Sequence, residues 1–204
     1  MVDVSSKKET FRRALASGKI YVGKEVFDLI KNKKMPKGDP ITLAEVSAVL
    51  GVKKTSELIP LCHPLPIDHT ATKIIMNEVD NSLEVFCVVS AVAKTGVEME
   101  AIMGVNAALI TIYDLSKIVN PHLKIDNVKL LIKEGGKSGL WTNPDGLPEF
   151  LKNIFWYLMS VYLSTQKVIK DWIDYNDHMN VSYYLLMFDK YGACLLYTSP
   201  SPRD

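Results

Sequence analysis

Ser82-Leu-Glu-Val-Phe-Cys-Val-Val-Ser-Ala-Val-Ala93, followed by Lys94-Thr95-Gly-Val-Glu98-Met-Glu-Ala-Ile-Met-Gly-Val-Asn-Ala-Ala-Leu-Ile110, decides the fold. The first half is rich in β-branched residues and reads as a strand. The second reads as a helix. Thr95-Gly-Val-Glu98 has the spacing of a capping box, in which the threonine caps the first turn and the glutamate reaches back to it. The helix is expected to run to about Val119 and stop before Pro121, since a residue ahead of proline disfavours the helical region. It is apolar nearly all round (Met99, Ile102, Met103, Val105, Leu109, Ile110, Ile112), so it is expected to be largely buried.

Working outward, residues 72–79 read as a second strand. Asp80-Asn-Ser82 is a turn signal, so the two strands form an antiparallel hairpin. Residues 18–22 are a short extended stretch and residues 24–31 a brief helix. Residues 31–40 form a basic loop broken by Pro36, Gly38 and Pro40. Residues 41–50 repeat apolar residues at helical spacing, with Gly51 where a stop is expected. Residues 58–66 are dense in proline and form an ordered loop. A last strand over 124–132 ends near Gly135-Gly136. Strands and helices mix without a regular β-α-β repeat. The class is therefore α+β, an antiparallel sheet with helices packed on one face.

The bulk numbers exclude several functions. Hydrophobic residues make up 48% of the 204 and charged residues 23%, enough for a packed core. A net charge of +1 argues against a nucleic-acid partner. Over residues 1–141, 19 Lys and Arg against 16 Asp and Glu leave +3, a weak tilt toward a small anionic ligand. Three scattered cysteines, Cys62, Cys87 and Cys194, suit a reducing cytoplasm. The opening is polar, so no signal peptide is expected, and no apolar run is long enough for a membrane span.

Several residues carry possible chemistry. Asp114 and Lys117 sit three apart near the helix end, as an ion pair or as an acid/base couple facing a cleft. Glu98 is explained by the capping box; Glu100 has no such local role. Cys62-His63 lies among prolines, with too few partners for structural zinc, so no metal is expected. His63 reads as a rigidly placed donor or acid/base group, or as a hydrogen-bonded loop histidine. Gly135-Gly-Lys-Ser-Gly139 lacks the upstream glycine of a nucleotide-triphosphatase loop, Leu131 standing there instead. Its amides could still hold a phosphate. Lys133 and Lys37 are possible phosphate partners or simply solvated.

In their order, Met1-Val-Asp-Val-Ser5, Lys37-Gly-Asp39, Leu58-Ile-Pro-Leu-Cys-His-Pro-Leu65, Thr95-Gly-Val-Glu-Met-Glu-Ala101, Leu109-Ile-Thr-Ile-Tyr-Asp114, Lys117 and Gly135-Gly-Lys-Ser-Gly139 resemble the motif string of the cyclic pyranopterin monophosphate synthase (MoaC) family. The resemblance covers residues 1–141. It implies a ferredoxin-like α+β fold and a lyase of molybdenum cofactor biosynthesis. Such an enzyme converts the cyclised 3′,8-GTP intermediate to cyclic pyranopterin monophosphate with release of pyrophosphate. It needs no cofactor and no metal. It also implies a cytoplasmic homohexamer, a hexamer assembled from dimers with active sites at dimer interfaces, and neither nucleic acid nor membrane as partner. Asp114 matches the active-site acid/base residue and Lys117 its neighbour. Leu61, Cys62, His63, Met99 and Glu100 match substrate contacts, and Arg12, Lys37, Glu98 and Lys133 match further active-site positions. Family members commonly begin a dozen or so residues earlier, so a missing N-terminal strand, and with it an inactive homologue or assembly partner, is the alternative expectation.

After Trp141 the texture changes. Residues 142–165 have linker composition. Residues 166–193 resemble the opening of a hot-dog acyl-CoA thioesterase, with Asp177 matching its catalytic carboxylate. The piece is too short to bury a core of its own, so no thioesterase activity is expected. Residues 194–204, Cys-Leu-Leu-Tyr-Thr-Ser-Pro-Ser-Pro-Arg-Asp, have the form of a translated sequencing adapter. The C-terminal extension is expected to be non-native, an assembly artefact.

Overall fold

A computed structural model describes residues 1–137, 139–148 and 151. The thioesterase-like and adapter-like segments, and most of the expected linker, lie outside the described residues. The chain divides into two units, Met1–Gly146 and Leu147–Asp204; the fold below is that of the first.

The elements run β1 (Thr10–Tyr21), α1 (Gly23–Lys31), α2 (Pro40–Leu58), β2 (His69–Asn77), β3 (Ser82–Ala93), α3 (Glu98–Ser116), β4 (Lys124–Glu134) and β5 (Trp141–Thr142). The sheet order is β2-β3-β1-β4-β5, and every neighbouring pair is antiparallel. Thus β1 and β2 run parallel with β3 between them, and β3 and β4 run parallel with β1 between them. Two interleaved β-α-β units of this kind are the ferredoxin-like α+β arrangement, with three helices packed on the sheet.

The strand period of two sets the core. Ala14, Ala16 and Ile20 of β1 and Leu83, Val85, Cys87, Val89, Ala91 and Ala93 of β3 join one buried cluster. From the helix side come Ala44, Ala48 and Val52 of α2 and Ala101, Val105, Ala108, Leu109 and Ile112 of α3. The small residues let the layers approach closely. A Cβ on Gly18 would stand 2.8 Å from Leu109 Cδ1 and from Val105 Cγ1.

Three expectations need correction. Strand β1 is 12 residues long and starts at Thr10, well before the short stretch at 18–22; its two arginines and small residues hide the alternation. Helix α2 does not stop at Gly51 but runs 19 residues to Leu58. Gly51 is instead the crossing point with α3, where a Cβ would lie 2.6 Å from Ala107 Cβ and 2.9 Å from the Met103 carbonyl oxygen. Helix α3 buries one face only. Ile110 is 61% exposed and Met99 38%, and the helix ends at Ser116 rather than near Val119.

Helix α2 begins where Asp39 accepts a hydrogen bond from the Ile41 amide at 3.0 Å and from Thr42 Oγ1 at 2.8 Å. Pro40 follows in the first turn, where its missing N–H costs nothing. These hydrogen bonds, Thr42's first, hold the Asp39 carboxyl below its ordinary value, although burial pulls the other way. Asp39→Ala is expected to cost about 1 kcal/mol at neutral pH, the usual worth of such a cap, measured by urea denaturation. A lowered folded-state pKa means that the ionised cap's contribution is present above the ordinary value of 3.8 and fades as the pH falls through the folded one. The penalty should therefore shrink in acid.

Candidate active site

The start of α3 supplies the acidic wall of the site. The first helical residue is Glu98, and Val97, just before it, makes no side-chain cap. The expected capping box is not formed: the helix begins too late for Thr95 to reach its first turn. Glu98 is thereby released. Its carboxylate folds over Gly96, where a Cβ would fall 1.9 Å from Oε2, so a larger residue there would push the carboxylate aside. Its Oε1 lies 3.4 Å from Lys133 Nζ. Two residues on, Glu100 is 4% exposed. Burial, and to a lesser degree the charge of Glu98, push its carboxyl up, against its own backbone hydrogen bond.

Facing this wall is the proline-rich loop between α2 and β2. Its turn is held by the Cys62 amide donating to the Ile59 carbonyl at 3.1 Å, and its far end by the Val92 amide donating to Asp68 Oδ2 at 2.7 Å. Burial, then the charge of Glu100, raise the Cys62 thiol above its usual value. His63 Nε2 lies 2.9 Å from the Val2 carbonyl oxygen. Since a carbonyl oxygen only accepts, Nε2 carries the hydrogen, and in the neutral ring Nδ1 is the acceptor. Leu61, Cys62, His63, Glu98, Met99 and Glu100 thus line one cavity of about 320 Å³, a size suited to a small organic ligand.

A smaller cleft of about 60 Å³ shares Gly96 and Glu98 with that cavity. It is cationic on balance: Arg12, Arg13, Lys133 and Lys137 line it with the carboxylates of Glu98 and Glu134, and Glu134 stands 3.6 Å from Arg13. Gly135 and Gly136 adopt φ of +99° and +73°, and a Cβ on Gly135 would collide with the Phe11 carbonyl oxygen at 2.0 Å. The turn does not offer all its amides to an anion, as the glycine-rich string suggested. Gly135 N–H donates to the Gly139 carbonyl at 3.2 Å and Gly139 N–H to that of Gly136 at 3.4 Å. Side-chain cations carry the positive field instead. Ser138 lies outside the described residues.

The remaining site residues assemble elsewhere. Asp114 accepts from Lys117 Nζ at 2.7 Å on Oδ1, and Lys37 Nζ stands 3.7 Å from Oδ2. Asp114 is not buried, for its side chain is 54% exposed. The Lys117 hydrogen bond and charge, then Lys37, hold its carboxyl below the usual range, outweighing desolvation. Fourteen residues of helix separate Glu100 from Asp114, about 21 Å along the axis. Within one chain the two groups do not share a cavity.

Val2, Val4 and Lys7, none of them a candidate from sequence, also line the larger cavity. The only signal was that Met1-Val-Asp-Val-Ser5 belongs to the ordered motif string. Among the described residues, no three His, Cys, Asp or Glu come together as metal ligands would. No described helix is long and apolar enough to cross a membrane.

A ferredoxin-like sheet with a carboxylate-histidine cavity beside a cationic cleft defines an enzyme of small-molecule chemistry. The chain belongs to the MoaC family, whose model matches residues 1–136. Similar proteins carry the name cyclic pyranopterin monophosphate synthase. That of Campylobacter jejuni subsp. jejuni serotype O:2 is 48% identical over 139 residues, 68% of this chain and 88% of the relative. That of Thermomicrobium roseum is 42% identical over 145 residues, 71% and 87% respectively. That of Aquifex aeolicus is 44% identical over 146 residues, 72% of this chain but 57% of the longer relative.

The buried Glu100 has a stability signature. Its folded-state pKa is raised above the ordinary 4.5, so its contribution is fully present below that value and lost as pH rises through the folded one. Glu100→Gln is accordingly expected to raise Tm by about 2–4 °C at pH 8 and to change it little near pH 4. Equal Tm values at both pH values would show that the carboxylate is not destabilised by its surroundings.

Proposed function

We propose that the chain is a cyclic pyranopterin monophosphate synthase acting in molybdenum cofactor biosynthesis. Its substrate is the cyclised 3′,8-GTP intermediate, and its products are cyclic pyranopterin monophosphate and pyrophosphate. The observation that carries this reading is the junction of the two cavities at Gly96 and Glu98. One side presents carboxylates, a thiol and a histidine; the other presents cations.

The chemistry divides in the same way. Rearranging a purine-derived ring moves protons at several atoms, which suits Glu98, Glu100, Cys62 and His63 with Leu61 and Met99 as packing partners. Carboxylates also select the amino and ring N–H edges of such a ring. Forming the cyclic phosphate means that a hydroxyl oxygen bonds to the α-phosphorus while the bond to the β-phosphate oxygen breaks. The electron pair leaves with pyrophosphate, and cations stabilise that charge. Arg12 and Lys133 stand at the cleft for this purpose.

Asp114, Lys117 and Lys37 enter through a second chain. Isologous pairing lets one protomer's Asp114 cluster meet its partner's Glu100 cavity, so the working unit is a homo-oligomer, a dimer that three-fold assembly would carry into a hexamer. The outer surfaces of α2 and α3 support pairing: Leu43, Val46 and Leu50 are 42–56% exposed and Ile110 is 61% exposed, apolar side chains that a partner chain would cover. A reducing cytoplasm suits the free Cys62 and Cys87. Pyranopterin formation from the cyclised GTP intermediate, followed with the purified full chain, tests the reading. Substrate left unconsumed by a folded chain would overturn it.

A further inference from the structure

We propose that Gly136 is a positioning residue for the reaction, its bare Cα holding the guanidinium of Arg12 in the orientation that grips the departing pyrophosphate. This rests on the synthase reading above. The stem of Arg12 is fixed first. Its Nε donates to the Ala93 carbonyl at 3.4 Å, and Gly135 packs on it, where a Cβ would stand 3.3 Å from Cδ. The far end lies against Gly136. A Cβ on Gly136 would fall 1.8 Å from Nη1, 2.7 Å from Cζ and 3.0 Å from Nη2, so the guanidinium rests where a side chain would begin. The turn has no room to retreat. Gly135 already lies against β1, where a Cβ would stand 2.0 Å from the Phe11 carbonyl oxygen, and the hydrogen bonds from Gly135 to Gly139 and from Gly139 to Gly136 close the loop. A side chain at position 136 therefore displaces the arginine, the flexible partner.

Orientation matters because a guanidinium is a planar fork, and its paired N–H groups meet a phosphate only when aimed at it. Glu98 and Glu134 line the same cleft, so a displaced guanidinium has carboxylates at hand to turn to. An arginine aimed at the breaking bond counts most in the transition state and in the product, where the charge on pyrophosphate is largest. Arg12, Gly135 and Lys137 line the cleft; Gly136 acts on it through Arg12.

The test uses the full chain with Gly136→Ala, Arg12→Ala and the two combined. It follows steady-state pyranopterin formation from the cyclised GTP intermediate, with inorganic pyrophosphate as product inhibitor. Gly139→Ala controls for backbone strain. Gly139 has a φ of +59° against +73° for Gly136, but a Cβ on it meets nothing within 4 Å. Both alanines should lower Tm by about 2–8 °C, the cost of a left-handed non-glycine residue. Gly136→Ala is expected to lower kcat about 10–100-fold and to weaken pyrophosphate inhibition about tenfold, the worth of a hydrogen bond to a charged group, with KM changed less than about threefold. Gly139→Ala keeps kcat and inhibition within about twofold of wild type. In the Arg12→Ala background Gly136→Ala changes neither any further, the mark of one residue acting through another. Equal kcat losses for the two alanines, or additive effects of Gly136→Ala and Arg12→Ala, overturn the positioning role. A wild-type chain that forms no pyranopterin overturns the synthase reading instead. Calorimetric pyrophosphate binding by the same chains then still reads the contact, and equal affinities for Gly136→Ala and Gly139→Ala overturn it.

Discussion

Asp114→Asn is expected to lower the rate of pyranopterin formation by about 10²–10⁴-fold, the usual worth of a positioned acid/base group, while leaving Tm within about 1 °C. The two effects separate because of where Asp114 stands. Its ion pair with Lys117 is more than half exposed on both sides, and exposed pairs contribute little to stability. Held ionised by Lys117 and Lys37, it is fitted to the role of base in the proposed reaction, a role that the isosteric amide cannot fill. Mixing tests the composite site. Asp114→Asn and His63→Ala chains, each inactive alone, are unfolded and refolded together. If each site draws Asp114 from one protomer and His63 from its partner, half the dimers are mixed and each has one intact site. About a quarter of the wild-type activity should return, as isologous pairing dictates. A mixture as inactive as its components would place the whole site within one chain and sink the composite model.

The second large effect is on stability. Gly104→Val is expected to cost about 3 kcal/mol or more, at the upper end of overpacking penalties, read from urea denaturation. Gly104 lies on the buried face of α3 against β3. Even a bare Cβ there would stand 2.5 Å from Cys87 Sγ and 2.9 Å from Val52 Cγ2. Valine adds two methyl groups to that conflict and a less favourable helical side chain. Alanine allows a finer test. Gly104→Ala gains helix propensity of about 1 kcal/mol but still meets the sulfur, so it should be destabilising overall. Because Sγ is the nearest atom, pairing it with Cys87→Ala should recover most of the loss, a coupling that contacting residues show and distant ones do not. Additive effects of the two substitutions would mean that the contact with Cys87 is not the source of the penalty.

Local patterns carried much of this molecule. The strand over Ser82–Ala93 and the short helix over Gly23–Lys31 follow from β-branched runs and apolar spacing, and both lie where the residues point to them. The family follows from the ordered motifs, because strings such as Leu61-Cys62-His63-Pro64 are specific in themselves. Short-range rules misled where a residue serves a distant neighbour. Gly51 has the local form of a stop, yet it is kept small by α3 crossing over it. Thr95 and Glu98 have the spacing of a cap, yet the chain delays the helix and turns Glu98 toward Lys133.

The chemical identity of the site was therefore set by the sequence: which carboxylates, cations, thiol and histidine are present, and in what order. Tertiary structure alone decided their grouping. Arg12, Cys62, Glu100 and Lys133 come from a strand, a loop, a helix and another strand, and the pairing of β1 with β3 and β4 brings them to one end of the sheet. The same helix that starts the cavity carries Asp114 to its opposite end, because a rigid α-helix converts fourteen residues into about 21 Å. Spacing along a chain fixes distance within a helix or strand. Between elements distance depends on packing, and only the folded molecule shows that Glu100 and Asp114 stand toward opposite ends of one helix.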